Sequence, residues 1–154
     1  MKRTFLTIAG IFTLSSLSAQ VNEKMLADTI SFISNEIKAL ECLSYEQDTY
    51  RLNFEDCNLE YERKFKGEED RWLIYDFWLV DIDEEKMSMD FAEGGWRIVL
   101  ISPNQKIEYD SSEGSGWVSE IHIYGKDQAS LIPIGKALYF AIKSCKSLDR
   151  FKNR

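Results

Sequence analysis

Between Arg71 and Tyr124 the chain alternates apolar and polar positions in runs of strand length, and on either side of that stretch the apolar positions recur at helical spacing. Trp72, Ile74, Trp78, Val80 and Ile82 share one parity, and Leu73, Tyr75, Phe77 and Leu79 the other. Apolar residues on both parities predict a central strand covered on both faces. Runs at Trp96 to Ser102, Lys106 to Asp110 and Trp117 to Tyr124 follow at hairpin spacing and predict an antiparallel meander. Pro103 and Asn104 suit the middle of a tight turn within it. Upstream, Tyr50, Leu52 and Phe54, and then Cys57, Leu59 and Tyr61, alternate with polar residues and predict two half-exposed strands.

Leu26, Ile30, Ile33, Ile37 and Leu40 recur at four-three-four-three spacing and predict an amphipathic N-terminal helix capped by Asn22. Ile134, Leu138, Ala141, Ile142, Cys145 and Leu148 predict a second helix that closes the chain. Asp127 and Ser130 compete to cap it. A cap at Ser130 puts Pro133 in the first turn, where its missing N–H removes no helical bond, so Ser130 is expected. The order predicts an α+β fold: the N-terminal helix, an antiparallel meander of about six strands forming a bent sheet or partly open barrel, and the C-terminal helix packed on the sheet.

Lys2 and Arg3, the apolar run from Phe5 to Leu17 and the small residues up to Ala19 predict a secretory signal peptide over 1–19, similar to those of exported proteins from Gram-negative bacteria. Its apolar run is about a dozen residues, short of the roughly twenty that span a bilayer, and no later run is longer. The expectation is a periplasmic or secreted protein whose mature chain, 20–154, is one domain without a transmembrane segment. Loss of Lys2 and Arg3 takes the formal net charge from −7 to −9. With basic residues interleaved among acids, nucleic acid and anionic membrane are disfavoured as partners, and cationic groups or divalent ions are favoured.

An oxidising compartment would expose Cys42, Cys57 and Cys145 to disulfide formation. Cys57 with Cys145 would tie a middle strand to the last helix and is the favoured pair; Cys42 with Cys57, or three buried thiols, are the alternatives. His122 is the only histidine, which disfavours a zinc site or a serine triad, and no nucleophile-elbow, zinc-protease or phosphate-loop motif is present. No cofactor is expected. Asp81, Asp83 and Glu85 match the first oxygen ligands of an EF-hand, but Lys86 at the sixth position and Ala92 at the twelfth exclude that loop. They read as a solvated acidic turn or a looser calcium site. Arg63, Lys64, Lys66 and Arg71, crowded by Glu60, Glu62, Glu68, Glu69 and Asp70, read as a solvated mixed-charge edge.

Under the meander, one sheet edge collects Asp81, Asp83, Trp96, Asp110, Glu113 and Trp117, with the two indoles two strands or roughly 10 Å apart. Gly94, Gly95 and Gly116 beside them would admit a ligand to the backbone, or else serve only as turn formers around core tryptophans. The strand run followed by a helix with an alanine-rich apolar face resembles pleckstrin-homology-like domains over Tyr45 to Leu148. That resemblance implies a bent, partly closed antiparallel sheet plugged by the last helix. The function expected is that of an exported, non-catalytic binding or accessory protein of the cell envelope, taking a protein, peptide or glycan, with inhibition of an exported enzyme as one form. A hydrolase using Asp81, Asp83, Asp110 and Glu113 is the alternative, and it requires two of them to converge in a concave pocket at roughly 5 to 10 Å. A structural subunit would instead show an apolar patch on the first helix.

Overall fold

A computed structural model describes residues 8–40, 49–55, 57–64, 71–92 and 94–152. Cys42 and the polar turn expected at Lys66 to Asp70 lie outside them. Helix α1 (Ile8–Lys38) turns Leu26, Ile30, Ile33 and Ile37 into the core, as the spacing requires, and Leu40 follows them. Asn22 is inside this helix and not at its cap. Nothing between Ile11 and Asn22 is a proline or glycine, so the helix runs unbroken through the upstream apolar segment.

Eight antiparallel strands follow: β1 (Thr49–Glu55), β2 (Asn58–Lys64), β3 (Trp72–Trp78), β4 (Ser88–Ala92), β5 (Gly95–Ile101), β6 (Ile107–Ser111), β7 (Gly114–Val118) and β8 (Glu120–Gly125). Helix α2 (Gln128–Lys152) closes the chain. The strands form two sheets, a larger one ordered β1-β2-β3-β6-β7 and a smaller one ordered β4-β5-β8, in place of the single meander. The central strand β3 pairs with β6, Tyr75 opposite Tyr109, and not with β5.

Three local features enforce this split. Beyond Trp78 a 3-10 turn (Leu79–Asp81) buries Leu79 and Ile82, carrying the chain out of the first sheet, and the Asp83 N–H then donates to the Ile101 carbonyl. A turn at Ser102 to Gln105, closed by the Gln105 N–H on the Ser102 carbonyl at 3.2 Å, returns the chain from β5 to the larger sheet. Finally the run Trp117 to Tyr124 bends at Ser119, whose carbonyl accepts from the Ser102 N–H at 2.7 Å, so β7 belongs to one sheet and β8 to the other.

The core lies where the inner face of the larger sheet (Leu59, Tyr61, Phe77, Ile107), one face of the smaller sheet (Ile98, Leu100, Ile121, Ile123) and both helices meet. From α2 come Leu131, Ile134, Leu138, Ala141, Ile142 and Cys145. Arg63 is not on a solvated edge: it is buried, with its guanidinium 5.6 Å from the centre of the Tyr124 ring, and links the two sheets. Nor is β3 covered on both faces. Tyr75 and Phe77 face inward, whereas Trp72 and Ile74 are half-buried and Asp76 and Trp78 exposed on the other side.

Asp127, not Ser130, caps α2. Its Oδ1 accepts the Ser130 N–H at 2.8 Å, while the Ser130 hydroxyl donates to the Asp127 carbonyl at 2.9 Å. Pro133 therefore falls inside the helix. The reciprocal pair at the cap and the burial of Leu131 that comes with the earlier start outweigh the one backbone bond that Pro133 forgoes. A disulfide joins Cys57 in the β1–β2 turn to Cys145 of α2, with Cα atoms 5.8 Å apart. It fixes a helix that packs on α1, the 3-10 turn and the smaller sheet to one end of the larger one.

Candidate functional site

The register of the larger sheet assigns every side chain to a face, because directly opposed residues point the same way. On the outer face one cross-strand row reads Glu60, Asp76, Glu108, Trp117. The next reads Glu62, Ile74, Asp110, Ser115. At the ends of the rows stand Glu55, Asn58 and Trp78 on one side and Lys64 and Trp72 on the other. Among the residues whose side chains are described, this face thus holds Glu55, Glu60, Glu62, Asp76, Glu108 and Asp110 together with Lys64, with three of the four tryptophans of the chain among them.

The indoles are open to solvent: Trp117 is 60% exposed and Trp78 48% exposed. Trp78, at the end of β3, borders a cleft lined by both helices, whereas Trp117 stands on β7 at the far edge of the sheet. Opposed side chains in such a row have Cβ atoms about 4.5 to 5.5 Å apart, so Asp76 and Glu108 are like charges in direct contact range, an arrangement that costs stability. Asp76 is steadied by Asn58, whose Nδ2 donates to its Oδ1 at 2.7 Å, and Glu62 by Lys64 at 3.2 Å. A surface of exposed tryptophans among carboxylates offers flat apolar area, ring faces for cations and acceptors for hydrogen bonds in one plane.

The residues expected to share one edge are dispersed. Trp96 begins β5 in the smaller sheet, opposite Gly125, half-buried and edge-on to Phe91 with ring centres 5.9 Å apart. Trp117 belongs to β7 of the larger sheet, and the chain bends at Ser119 and changes sheets before it reaches Gly125, so the two indoles are not two strands apart on one edge. Asp81 pairs with Lys106 at 2.5 Å; Asp83 pairs with Lys86 at 3.4 Å and accepts the Glu85 N–H at 3.1 Å. Asp110 and Glu113 belong to the opposite end of β6, where Glu113 meets Arg71 at 3.5 Å. The two carboxylate pairs are therefore separated by the length of β6, and the acidic loop already has its own cations. The glycines act as backbone devices: Gly94 (φ 83) makes the β4–β5 turn, and a Cβ on Gly116 would sit 3.0 Å from the Tyr109 ring. Of the six expected binding residues, Trp117 and Asp110 fall on the acidic tryptophan face.

Trp72, Trp78, Glu60, Glu62, Asp76 and Glu108 were not expected there. One signal in the sequence marks them: Asp76 interrupts the otherwise apolar parity of Trp72, Ile74 and Trp78, and a charge mid-strand on that parity denotes an open face.

Among the described residues, one concave region adjoins this face at Trp78 and another lies apart from it. A cleft of about 630 Å³ beside the disulfide is lined by Leu26, Ile30, Trp78, Val80, Cys145 and Leu148, with Glu23 and Asp149 at its polar margin. A groove of about 450 Å³ runs between β4 and α2, lined by Met87, Met89, Ile98, Ile132, Gly135 and Tyr139. The displaced titrations belong to ion pairs around the smaller sheet and α2. A hydrogen bond from Lys146 holds the Glu84 carboxyl below its ordinary range, and one from Arg97 does the same for Asp90. Arg97 also reaches His122 Nδ1 at 3.3 Å, and the other ring nitrogen lies 3.2 Å from Glu120. Among the described residues no group of three or more His, Cys, Asp or Glu side chains is arranged to hold a metal ion, and no helix is long and apolar enough to cross a membrane.

No family model, curated protein or solved structure matches the chain.

Proposed function

We infer that this chain is an exported, non-catalytic binding protein of the cell envelope, and that the outer face of its five-stranded sheet holds the partner, a protein, peptide or glycan. The observation that carries this reading is the exposure of Trp117 opposite Glu108, in line with the Glu60–Asp76–Glu108 row, with Trp78 half-exposed where the same face meets the cleft between the helices. Burial of one indole is worth several kcal/mol, so an indole left as open as Trp117 gains the isolated fold little. Apolar patches of this kind on otherwise polar surfaces are where partners bind. The N-terminal charge and apolar run support export, and so does the Cys57–Cys145 bond, which an oxidising compartment preserves.

The test places a photo-crosslinking amino acid at position 117 of the full chain, expressed in the cells that make it. The expected result is a defined adduct in the envelope fraction, lost when Trp78 and Glu108 are replaced by Ala and Gln, and absent when the crosslinker sits at Lys136 in the β4–α2 groove. Intact mass of the recovered protein should show a chain starting at Gln20. An adduct at Lys136 and none at 117 would move the function to the groove.

A further inference from the structure

The outer face is more specific than a sticky surface, and its partner can be given a chemistry. We propose, resting on the reading above, that the acidic tryptophan face docks a cationic polypeptide segment, one that presents arginine and lysine side chains to the Glu60–Asp76–Glu108–Trp117 row.

Charge complementarity is the first argument. The row sets three carboxylates side by side across β2, β3 and β6, and the neighbouring row adds Glu62 and Asp110. Opposed like charges destabilise a sheet, and between Asp76 and Glu108 no basic side chain of the same face intervenes. A cation laid over the row would bridge neighbouring carboxylates and relieve that repulsion, so the gain on binding exceeds that of a lone surface ion pair.

Tryptophan supplies the second. Trp117 stands directly opposite Glu108, and Trp78 lies one same-face step along β3 from Asp76. Glu108 therefore has an indole directly across the ladder, and Asp76 has one two residues along its own strand. A guanidinium is the side chain that uses both at once: its planar fork matches a carboxylate, and its face stacks on an aromatic ring. A bare divalent ion would use the carboxylates and ignore the indoles, while a neutral sugar would use the indoles and leave the carboxylates repelling one another.

The third is extent. Four strands at about 4.8 Å spacing make the row roughly 14 Å long, and Trp72 to Trp78 spans six residues of β3, roughly 20 Å. That area accommodates several side chains of a polypeptide and exceeds what one small cation needs.

The experiment uses the chain from Gln20 to Arg154 with its disulfide intact. A synthetic twelve-residue peptide with six arginines spaced by serine and glycine is titrated by calorimetry and by tryptophan fluorescence, beside an all-neutral peptide of equal length, spermine and calcium chloride. The expected result is binding of the arginine peptide with altered tryptophan emission, weakened about tenfold by Trp117→Ala and by Glu108→Gln, unchanged in Lys136→Ser, and falling as salt rises. Circular dichroism and urea midpoints of the variants establish that each is folded. The proposal is overturned if the neutral peptide binds equally, if calcium or spermine reproduces the fluorescence change, or if the arginine peptide binds the two variants as tightly as wild type, which would make the attraction one of overall charge alone. If the arginine peptide fails while the adduct at 117 still forms in cells, the face binds something other than a cationic segment; if both fail, the face is not the functional surface.

Discussion

Cys57 carries more of the fold than its size suggests. It occupies the left-handed region (φ 70) in the tight β1–β2 turn, its carbonyl accepts the Leu79 N–H at 2.8 Å, and its sulfur ties the turn to α2. Left-handed backbone costs a non-glycine residue on the order of 1 kcal/mol. The disulfide closes a loop across a sequence separation of 88 residues, which in the chain-entropy account stabilises by about 4.6 kcal/mol. Cys145→Ala should therefore lower stability by about that amount in non-reducing urea titrations. Adding Cys57→Ala should cost little more, since the bond is already gone, whereas Cys57→Gly in the Cys145→Ala background should recover about 1 kcal/mol. A loss instead of a recovery would mean that residue 57 leaves the left-handed region once the cross-link is cut. Both cysteines are visible in the sequence, but φ at position 57 is not, because a hairpin turn of Asp-Cys lacks the glycine or asparagine that normally announces it.

Among elements, the two helices were legible because a 3.6-residue apolar stripe has one structural meaning, and every stripe residue from Leu26 to Leu40 and from Ile134 to Cys145 is buried. Strands were legible as strands for the same reason, from Leu59 and Tyr61 to Ile121 and Ile123. Their partners were not. Alternation states which residues share a face and is silent on which strand lies alongside, and the bend at Ser119 that divides β7 from β8 carries neither glycine nor proline at that position. The candidate edge of Trp96 and Trp117 failed on this point. The loop between β3 and β4 shows how elements are fastened across the split: Glu84 meets Lys146 of α2, and that hydrogen bond, followed by one to the Glu84 backbone N–H, lowers the carboxyl pKa from 4.5. A carboxyl with a depressed folded pKa stabilises above its unfolded value and loses that contribution as pH falls through the folded one. The stability gap between wild type and Glu84→Gln should accordingly be constant from pH 7 down to about 4.5 and close at lower pH, as followed by thermal unfolding. A gap that persists at pH 2 would assign the effect to packing and not to charge.

For the whole molecule, the groups that hold the fold and the acidic tryptophan face belong to opposite sides of the larger sheet. The inner faces, the helices and the disulfide hold the two sheets together, and none of them depends on the outer face of the larger sheet. That face instead lowers stability, since Glu108 stands opposite Asp76 in the ladder with both side chains exposed. Residues kept at a cost to the fold are the ones a function selects. Glu108→Gln should thus raise stability, by a few tenths to about 1 kcal/mol, because it removes one member of a like-charge pair while keeping the side chain's length. The gain should be largest at low ionic strength and shrink above about 0.5 M salt, where charges a few ångströms apart on an exposed surface are screened. Asp76→Asn is the less clean variant, since Asp76 also accepts the Asn58 amide, and a smaller gain is expected there. Urea midpoints of the two variants across a salt series measure both effects. Should Glu108→Gln be destabilising at every salt concentration, the carboxylate row would be part of what holds the sheet, and the case for an unrelieved acidic face awaiting a cationic partner would lose its energetic support.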